Sequence, residues 1–123
     1  MTCTMRPRRG EIWRVRFDPS VGAEIQKDRP AVVVQVEEVG RLPVVIVVPV
    51  TEWDNQYACF PWHTKIPCSS LKGLDKDSSA DSVQVKSVSV TRFIDRIGEV
   101  TPDQPAEIVA AIALCIGFTG SID

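Results

Sequence analysis

From Glu11 to Phe17 the chain reads Glu-Ile-Trp-Arg-Val-Arg-Phe, and this alternation of period two predicts a half-buried β-strand. Trp13, Val15 and Phe17 fall on the inward face, with Ile12 and Arg14 opposed to them. A polar loop from Asp18 to Arg29 leads into a second strand, about Ala31 to Glu37, rich in valine. Val39-Gly-Arg-Leu-Pro43 makes the turn to a third strand, Val44 to Thr51, so apolar that both of its faces are expected to be covered. A loop through Glu52–Tyr57 precedes a fourth strand near Cys59 to Ile66. Residues 68–80 are polar and rich in turn formers, which predicts a long surface loop.

Asp81 to Val90 alternates again, but its phase changes between Val85 and Val88, as a bulge near Lys86-Ser87 would cause. Phe93 to Ile97 predicts a last short strand. A helix should open at Thr101, with Thr101 as N-cap, Pro102 in the first helical position and Gln104 completing a capping box. Ile108, Val109, Ile112, Cys115 and Ile116 recur at helical spacing, so one face should dock on the sheet and bury Cys115. Gly117 or Gly120 can end it. Five or six strands with hairpin-scale loops and one terminal helix predict a mainly β fold, a small twisted antiparallel barrel with the helix packed on it.

Composition narrows the class without changing that picture. The 123 residues suffice for one domain over 1–123, and 44% hydrophobic with 24% charged residues is ordinary for a globular protein. Met1 to Arg9 is basic, has no pattern and is expected to be a mobile tail; no apolar leader follows it. The longest apolar run, Leu42 to Val50, contains two prolines and is too short to span a membrane, so the expected location is the cytoplasm. Cys3, Cys59, Cys68 and Cys115 lack zinc-site spacing and read as free thiols. Asp75, Asp77 and Asp81 fail the calcium-loop pattern, with Lys86 at the twelfth position, and read as a solvated acidic loop. The net charge is −2, yet residues 1–29 carry seven basic against four acidic side chains, +3, leaving −5 on the rest. A basic segment on an acidic body is compatible with a polyanionic partner, and equally with a solvated arm.

The candidate chemistry centres on Arg29. Pro30 pushes its backbone toward an extended geometry at the junction of loop and strand. Its planar fork of donors and fixed charge suit a phosphate; the competing reading is a surface arginine at a sheet edge. Around it, five pieces stand in order: Arg9-Gly-Glu-Ile-Trp13, Gly22-Ala-Glu24, Arg29-Pro-Ala-Val-Val33, Val48-Pro-Val-Thr51 and Arg92-Phe-Ile-Asp95. Together they resemble the MazF/PemK/Kid family, the toxins of type II toxin–antitoxin pairs, over about residues 8–118.

The resemblance implies an SH3-like barrel of the PemK and CcdB type, a homodimer, and a ribosome-independent endoribonuclease that cuts single-stranded mRNA without metal or cofactor. It also implies a small MazE-like antitoxin whose extended segment fills the RNA groove. It puts the catalytic arginine on Arg29 and the catalytic threonine on Thr51, with Glu24 in a supporting role or ion-paired to Lys27 or Arg29. Phe17, Gln26, Lys27, Trp53, Tyr57 and Arg92 are the expected substrate contacts. Phe17 also reads as core, Trp53 as packing or a dimer contact, and Arg92 as a partner of Asp95 or Glu99. His63, the only histidine, reads as structural.

The family's common Gly-x-Glu-Gln-x-Gly-x-Arg-Pro stands here as Gly22-Ala-Glu-Ile-Gln-Lys-Asp-Arg-Pro30, without the Gln and the second Gly. The aromatic segment Trp53, Tyr57, Phe60, Trp62 lies outside the core motif. Two further readings stay open: a silent RNA- or antitoxin-binding member of the fold, and a CcdB-type poison of DNA gyrase.

Overall fold

The valine-rich runs form the middle of one antiparallel sheet, because β-branched side chains pack well on a pleated surface covered on both sides. A computed structural model describes residues 6–69 and 72–118. Its strands are β1 (Glu11–Arg16), β2 (Asp28–Val33), β3 (Val44–Glu52), β4 (His63–Ile66), β5 (Ser78–Asp81), β6 (Lys86–Ser89) and β7 (Phe93–Glu99), followed by helix α1 (Gln104–Cys115). They pair in the order β4-β5-β3-β2-β1-β7, with β6 on β3. The terminal strands of this order, β4 and β7, are not paired with each other, so the expected barrel is an open, twisted sheet. The gap is bridged by side-chain and loop packing: Gly73, between β4 and β5, presses against Ile97 of β7.

The sheet divides the core in two. Toward α1 lie Ile12, Val32, Val48, Val50, Ile66 and Ile108. On the opposite face lie Trp13, Val15, Phe17, Ala31, Val33, Val45, Val47 and Val88. As expected, β3 is covered on both faces. Ile12 is not opposed to the interior as the alternation suggested; it is fully buried under α1.

Several boundaries differ from the sequence expectations for identifiable reasons. Residues Asn55–Cys59 form a 3-10 turn rather than the start of β4, because Asp54 caps them by accepting from the Gln56 amide at 3.0 Å. The expected loop over 68–80 contains β5, whose Ser-Ser-Ala-Asp sequence has no apolar period and is buried by pairing between β3 and β4. The phase break in 81–90 is not a bulge. β5 and β6 both pair with β3, and their registers are out of step by three residues, the length of the intervening 3-10 turn Ser82–Gln84.

Half of the expected capping box forms at α1. The Thr101 amide donates to Gln104 Oε1 at 2.9 Å, but the Thr101 hydroxyl turns to Asp103 Oδ1 at 2.7 Å, and Asp103 becomes the N-cap. Gly117, at φ +82°, ends the helix; its amide donates to Leu114 O and that of Phe118 to Ala113 O. Gly120 lies outside the described residues. Cys115 and Ile116 are exposed, because the buried stripe of α1 runs through Ile108, Ala111 and Ile112 instead. Residues 6–9, expected as tail, are tethered: Arg6 donates to Leu42 O, Arg9 to Val34 O, and the Arg8 amide to Glu11 Oε1. Among the described residues no helix is long and apolar enough to cross a membrane.

Candidate active site

The loop before Arg29 is held from three sides. Val21 N–H donates to Glu24 Oε1 at 2.8 Å, closing a turn. The Ser20 hydroxyl lies 2.6 Å from Phe17 O and 2.7 Å from Ile25 O. Gln84, in the 3-10 turn between β5 and β6, accepts from the Ile25 amide at 3.1 Å and donates to Ala23 O at 3.0 Å. Ile25, standing where the family pattern has Gln, packs against the core below. Lys27 stands where that pattern has its second Gly, and it takes φ +66°, the left-handed backbone that Gly favours. The loop therefore keeps a glycine-like path with a lysine in it, closed by Phe17 N–H donating to Lys27 O at 2.9 Å.

A left-handed lysine costs about 1 kcal/mol, which glycine's greater unfolded-state entropy offsets in part. Lys27→Gly should therefore raise stability by roughly 0.5 kcal/mol by chemical denaturation. The same change removes an ammonium beside Arg29.

Strand register brings the expected residues together. Val15 stands opposite Arg29 across β1 and β2. β2 and β3 pair Val33, Val32 and Ala31 with Val47, Val48 and Pro49; the ladder ends there, and Arg29 and Thr51, each two residues beyond its last pair, share the pleated face of Ala31 and Pro49. Thr51 in turn stands opposite Ser79, and Ser79 opposite Lys65. Thr51, Ser79 and Lys65 thus form one row across three strands on the sheet face away from α1, and Arg29 extends it just beyond the end of the β2–β3 ladder. The Arg29 guanidinium is exposed and, among the described residues, engaged only through Nε, which donates to Gln26 O at 3.3 Å. The Thr51 hydroxyl has a 3.4 Å contact to Glu52 O, too long to hold it firmly. Lys86, on the same face, places Nζ 5.9 Å from the centre of the Phe17 ring. Among the described residues neither Arg29, Lys27 nor Lys86 has a carboxylate partner, whereas Arg16 is paired with Asp28 at 3.7 Å and Lys65 with Asp77 at 3.9 Å.

An aromatic block flanks the Lys65 end of the row. Tyr57 lies flat on His63, centroids 3.8 Å apart and 4° from parallel, and meets Trp53 edge-on at 5.9 Å. Phe60 stacks on Trp62 at 4.9 Å, and Lys65 Nζ sits 5.1 Å over the Trp53 ring. His63 Nδ1 is 2.7 Å from the Ser79 hydroxyl, which ties the block to the row.

Burial lowers the His63 pKa below 6.5, against an opposing pull from Asp81. The folded state thus favours neutral imidazole, so this contribution to stability is present above about pH 6.5 and is lost as pH falls through the lower folded value. Melting temperatures taken from pH 7.5 down to 5 should fall, and His63→Gln should flatten that part of the profile.

Of the residues singled out in the sequence, Arg29 and Thr51 lie on one face of the sheet. Gln26 supports the loop, its side chain donating to Gly22 O at 3.0 Å. Glu24 forms no ion pair with Lys27 or Arg29 among the described residues; its carboxylate holds the turn. Phe17 is only 1% exposed, so its side chain is core and not an open contact surface. Arg92 pairs with neither Asp95 nor Glu99: its Nη1 donates to Arg16 O at 3.0 Å and Asp18 O at 2.7 Å, clamping the exit of β1. Sequence reasoning missed Ser79, Lys65, Lys86 and Gln84. For Ser79 and Lys65 the signal is cross-strand register through β5, and for Lys86 the register of β6 on β3; Gln84 lies in the turn between them and has none.

Comparison with known proteins converges on one family. A model described as the PemK-like, MazF-like toxin of type II toxin–antitoxin systems matches residues 8–116. Endoribonuclease MazF9 of Mycobacterium tuberculosis is 34% identical over 113 residues, 87% of this chain and 93% of that protein. Among solved structures, MazF from Deinococcus radiodurans superposes with a TM-score of 0.74 at 20% identity, over 90% of this chain and 96% of that one. A mycobacterial endoribonuclease solved with its cognate antitoxin gives 0.71 at 19% identity, over 94% and 100%.

Proposed function

The chain belongs to the family of PemK-like, MazF-like toxins of type II toxin–antitoxin systems, and we propose that it is the endoribonuclease toxin of such a pair, cleaving single-stranded mRNA in the cytoplasm. The single observation that carries the catalytic reading is that Arg29 and Thr51 both lie just beyond the last β2–β3 pair, Ala31 with Pro49, on one face of the sheet.

In this reading the RNA's own 2′-hydroxyl gives its proton to water and attacks the adjacent phosphorus, the 5′-oxygen leaves and takes a proton from water, and the products carry a 2′,3′-cyclic phosphate and a 5′-hydroxyl. No metal is required, because the nucleophile is built into the substrate and held in place by it. Arg29 directs its free guanidinium nitrogens at the non-bridging oxygens and gains interaction as charge builds on the phosphorane. Thr51 donates its hydroxyl to the same phosphate. Lys27 and Lys86 supply uncompensated positive charge to the flanking backbone. Trp53 and Tyr57 offer aromatic surface to a splayed base, although one face of Tyr57 is already occupied by His63. Glu24 assists by fixing the loop that carries Arg29. The partners are single-stranded RNA, a MazE-like antitoxin that competes for the same face, and a second copy of the chain in a homodimer.

The test is an end-labelled single-stranded RNA mixture incubated with EDTA, with ends identified by phosphatase and kinase treatment. Cleavage to 5′-hydroxyl ends is expected. Products with a 3′-hydroxyl, or activity abolished by EDTA, would overturn the chemistry. Intact RNA beside arrested DNA supercoiling would transfer the reading to a gyrase poison.

A further inference from the structure

Away from the Arg29–Thr51 row, a cavity of about 420 Å³ opens at the opposite end of β2 and β3, lined by four arginines, Arg6, Arg8, Arg9 and Arg41. Val33 and Val45 lie at its floor, and both belong to the same sheet face as Arg29 and Thr51. Four residue steps along β2 separate Arg29 from Val33, about 13 Å. The volume lies within the range of small-ligand sites, and the apolar floor with a cationic rim matches a base or sugar below and a phosphate above.

The arginine charges here are held in place without being neutralised. Arg6 and Arg9 donate to the backbone carbonyls of Leu42 and Val34, which orient each guanidinium but carry no formal charge. Arg8 and Arg41 are exposed, and their side chains have no ion pair or hydrogen bond among the described residues. Glu11 also lines the cavity, but its carboxylate accepts from the Arg8 amide, from Trp13 Nε1 and from Arg96 on β7. That leaves Glu37 as the one lining carboxylate with no partner among the described residues. Guanidiniums fixed by carbonyls and left with open donors are preorganised for an anion with several acceptor oxygens.

We infer that this cavity is a second phosphate-binding site, which takes a nucleotide phosphate through Arg6, Arg8, Arg9 and Arg41. In its RNA form the inference rests on the proposed function. The strand cut at Arg29 and Thr51 continues along the same face, and a flanking phosphate seats in the arginine cavity. In its other form the phosphate belongs to a free nucleotide, and the site stands independently of RNA cleavage.

The experiment uses the full chain with Arg8 and Arg41 both changed to alanine. These side chains hold no other group, so the fold should survive, as a circular-dichroism melt would verify. Fluorescence anisotropy would follow a short labelled RNA, a long labelled RNA and labelled ATP, in an Arg29→Ala background that keeps the RNA intact.

If the site seats an RNA flank, the double variant binds the long RNA roughly tenfold more weakly, with a salt slope shallower by about 0.7 per lost phosphate contact. The short RNA is then unaffected. If the site serves a free nucleotide, ATP binds the parent and not the double variant, while both RNAs bind equally well. Unchanged binding of all three probes overturns the inference and leaves the proposed function standing. If the wild-type chain cuts no RNA but ATP binding depends on Arg8 and Arg41, the proposed function falls and the site remains.

Discussion

Replacing Arg29 with alanine is expected to slow RNA cleavage by about 10³-fold or more while barely moving the melting temperature. The two halves of that expectation have separate causes. On the proposed chemistry, loss of rate follows from removing a charged, forked donor at the position where the phosphorane's negative charge would develop. In a water-excluded site with substrate bound, such a donor contributes far more than it would in bulk solvent. Retained stability follows from how little the protein itself uses the side chain. The guanidinium is exposed and makes one 3.3 Å bond from Nε to Gln26 O, so its loss should cost no more than about 0.5 kcal/mol.

Arg29→Lys divides the effect further. It restores the charge without the planar fork, and should recover binding better than rate. Single-turnover cleavage at saturating enzyme, beside a thermal melt of each variant, measures both quantities. A cleavage rate within threefold of wild type in Arg29→Ala would remove Arg29 from the chemistry. A collapsed melting temperature would mean that it is structural.

Arg29 and Thr51 are singled out in the sequence through the family resemblance, Arg29 in the Arg-Pro pair and Thr51 after the third strand. That they share one sheet face was not derivable from those motifs, since it depends on how β2 and β3 pair. The rest of the row was hidden more deeply. Ser79 is fully buried, yet Ser78-Ser-Ala-Asp81 offers neither apolar alternation nor β-branched side chains. That segment is a strand because β3 and β4 present open edges on both sides of it. Tertiary pairing has overridden local propensity.

The helix shows the converse. Period 3.6 located α1, but its hydrophobic positions exceed what the sheet can cover, so Cys115 and Ile116 remain outside while Ala111 and Ala113 are buried. Lys27 hides its backbone shape: the chain there is left-handed, but lysine gives no hint of it. Gln84 is likewise unremarkable in sequence, and it anchors a loop some sixty residues earlier because the turn Ser82–Gln84 projects toward it.

The largest stability effect should come from Gly73→Ala, far from the Arg29 row. Gly73 has φ +68°, where any Cβ is disfavoured by about 1–2 kcal/mol. Space compounds the problem. A Cβ at Gly73 would overlap the Ile97 side chain, its carbonyl oxygen and its carbonyl carbon. Two of those atoms are backbone in β7, at a bulge where Ile97 has no partner on β1 but both of its neighbours do, Arg96 with Trp13 and Gly98 with Ile12, so the strand has little room to yield. Overpacking of this kind adds about 1–3 kcal/mol, for a total near 3 kcal/mol and a fall in melting temperature of roughly 10 °C.

The same geometry identifies what fails. β4 and β7 end the pairing order without joining, and Gly73 is where the loop after β4 touches β7. Nearby, Leu74 and Ile97 both pack on the α1-side core. Forcing Gly73 away from Ile97 should open that seam first. Ile97→Ala offers the control, because it vacates side-chain space but leaves the backbone overlap. If the melting temperature of the double variant Gly73→Ala/Ile97→Ala returns to that of Ile97→Ala alone, the side chain is the obstacle. If it stays lower, the obstacle is the β7 backbone together with the left-handed φ. A melting temperature within 2 °C of wild type for Gly73→Ala alone would show that the loop does not rest on β7 in solution.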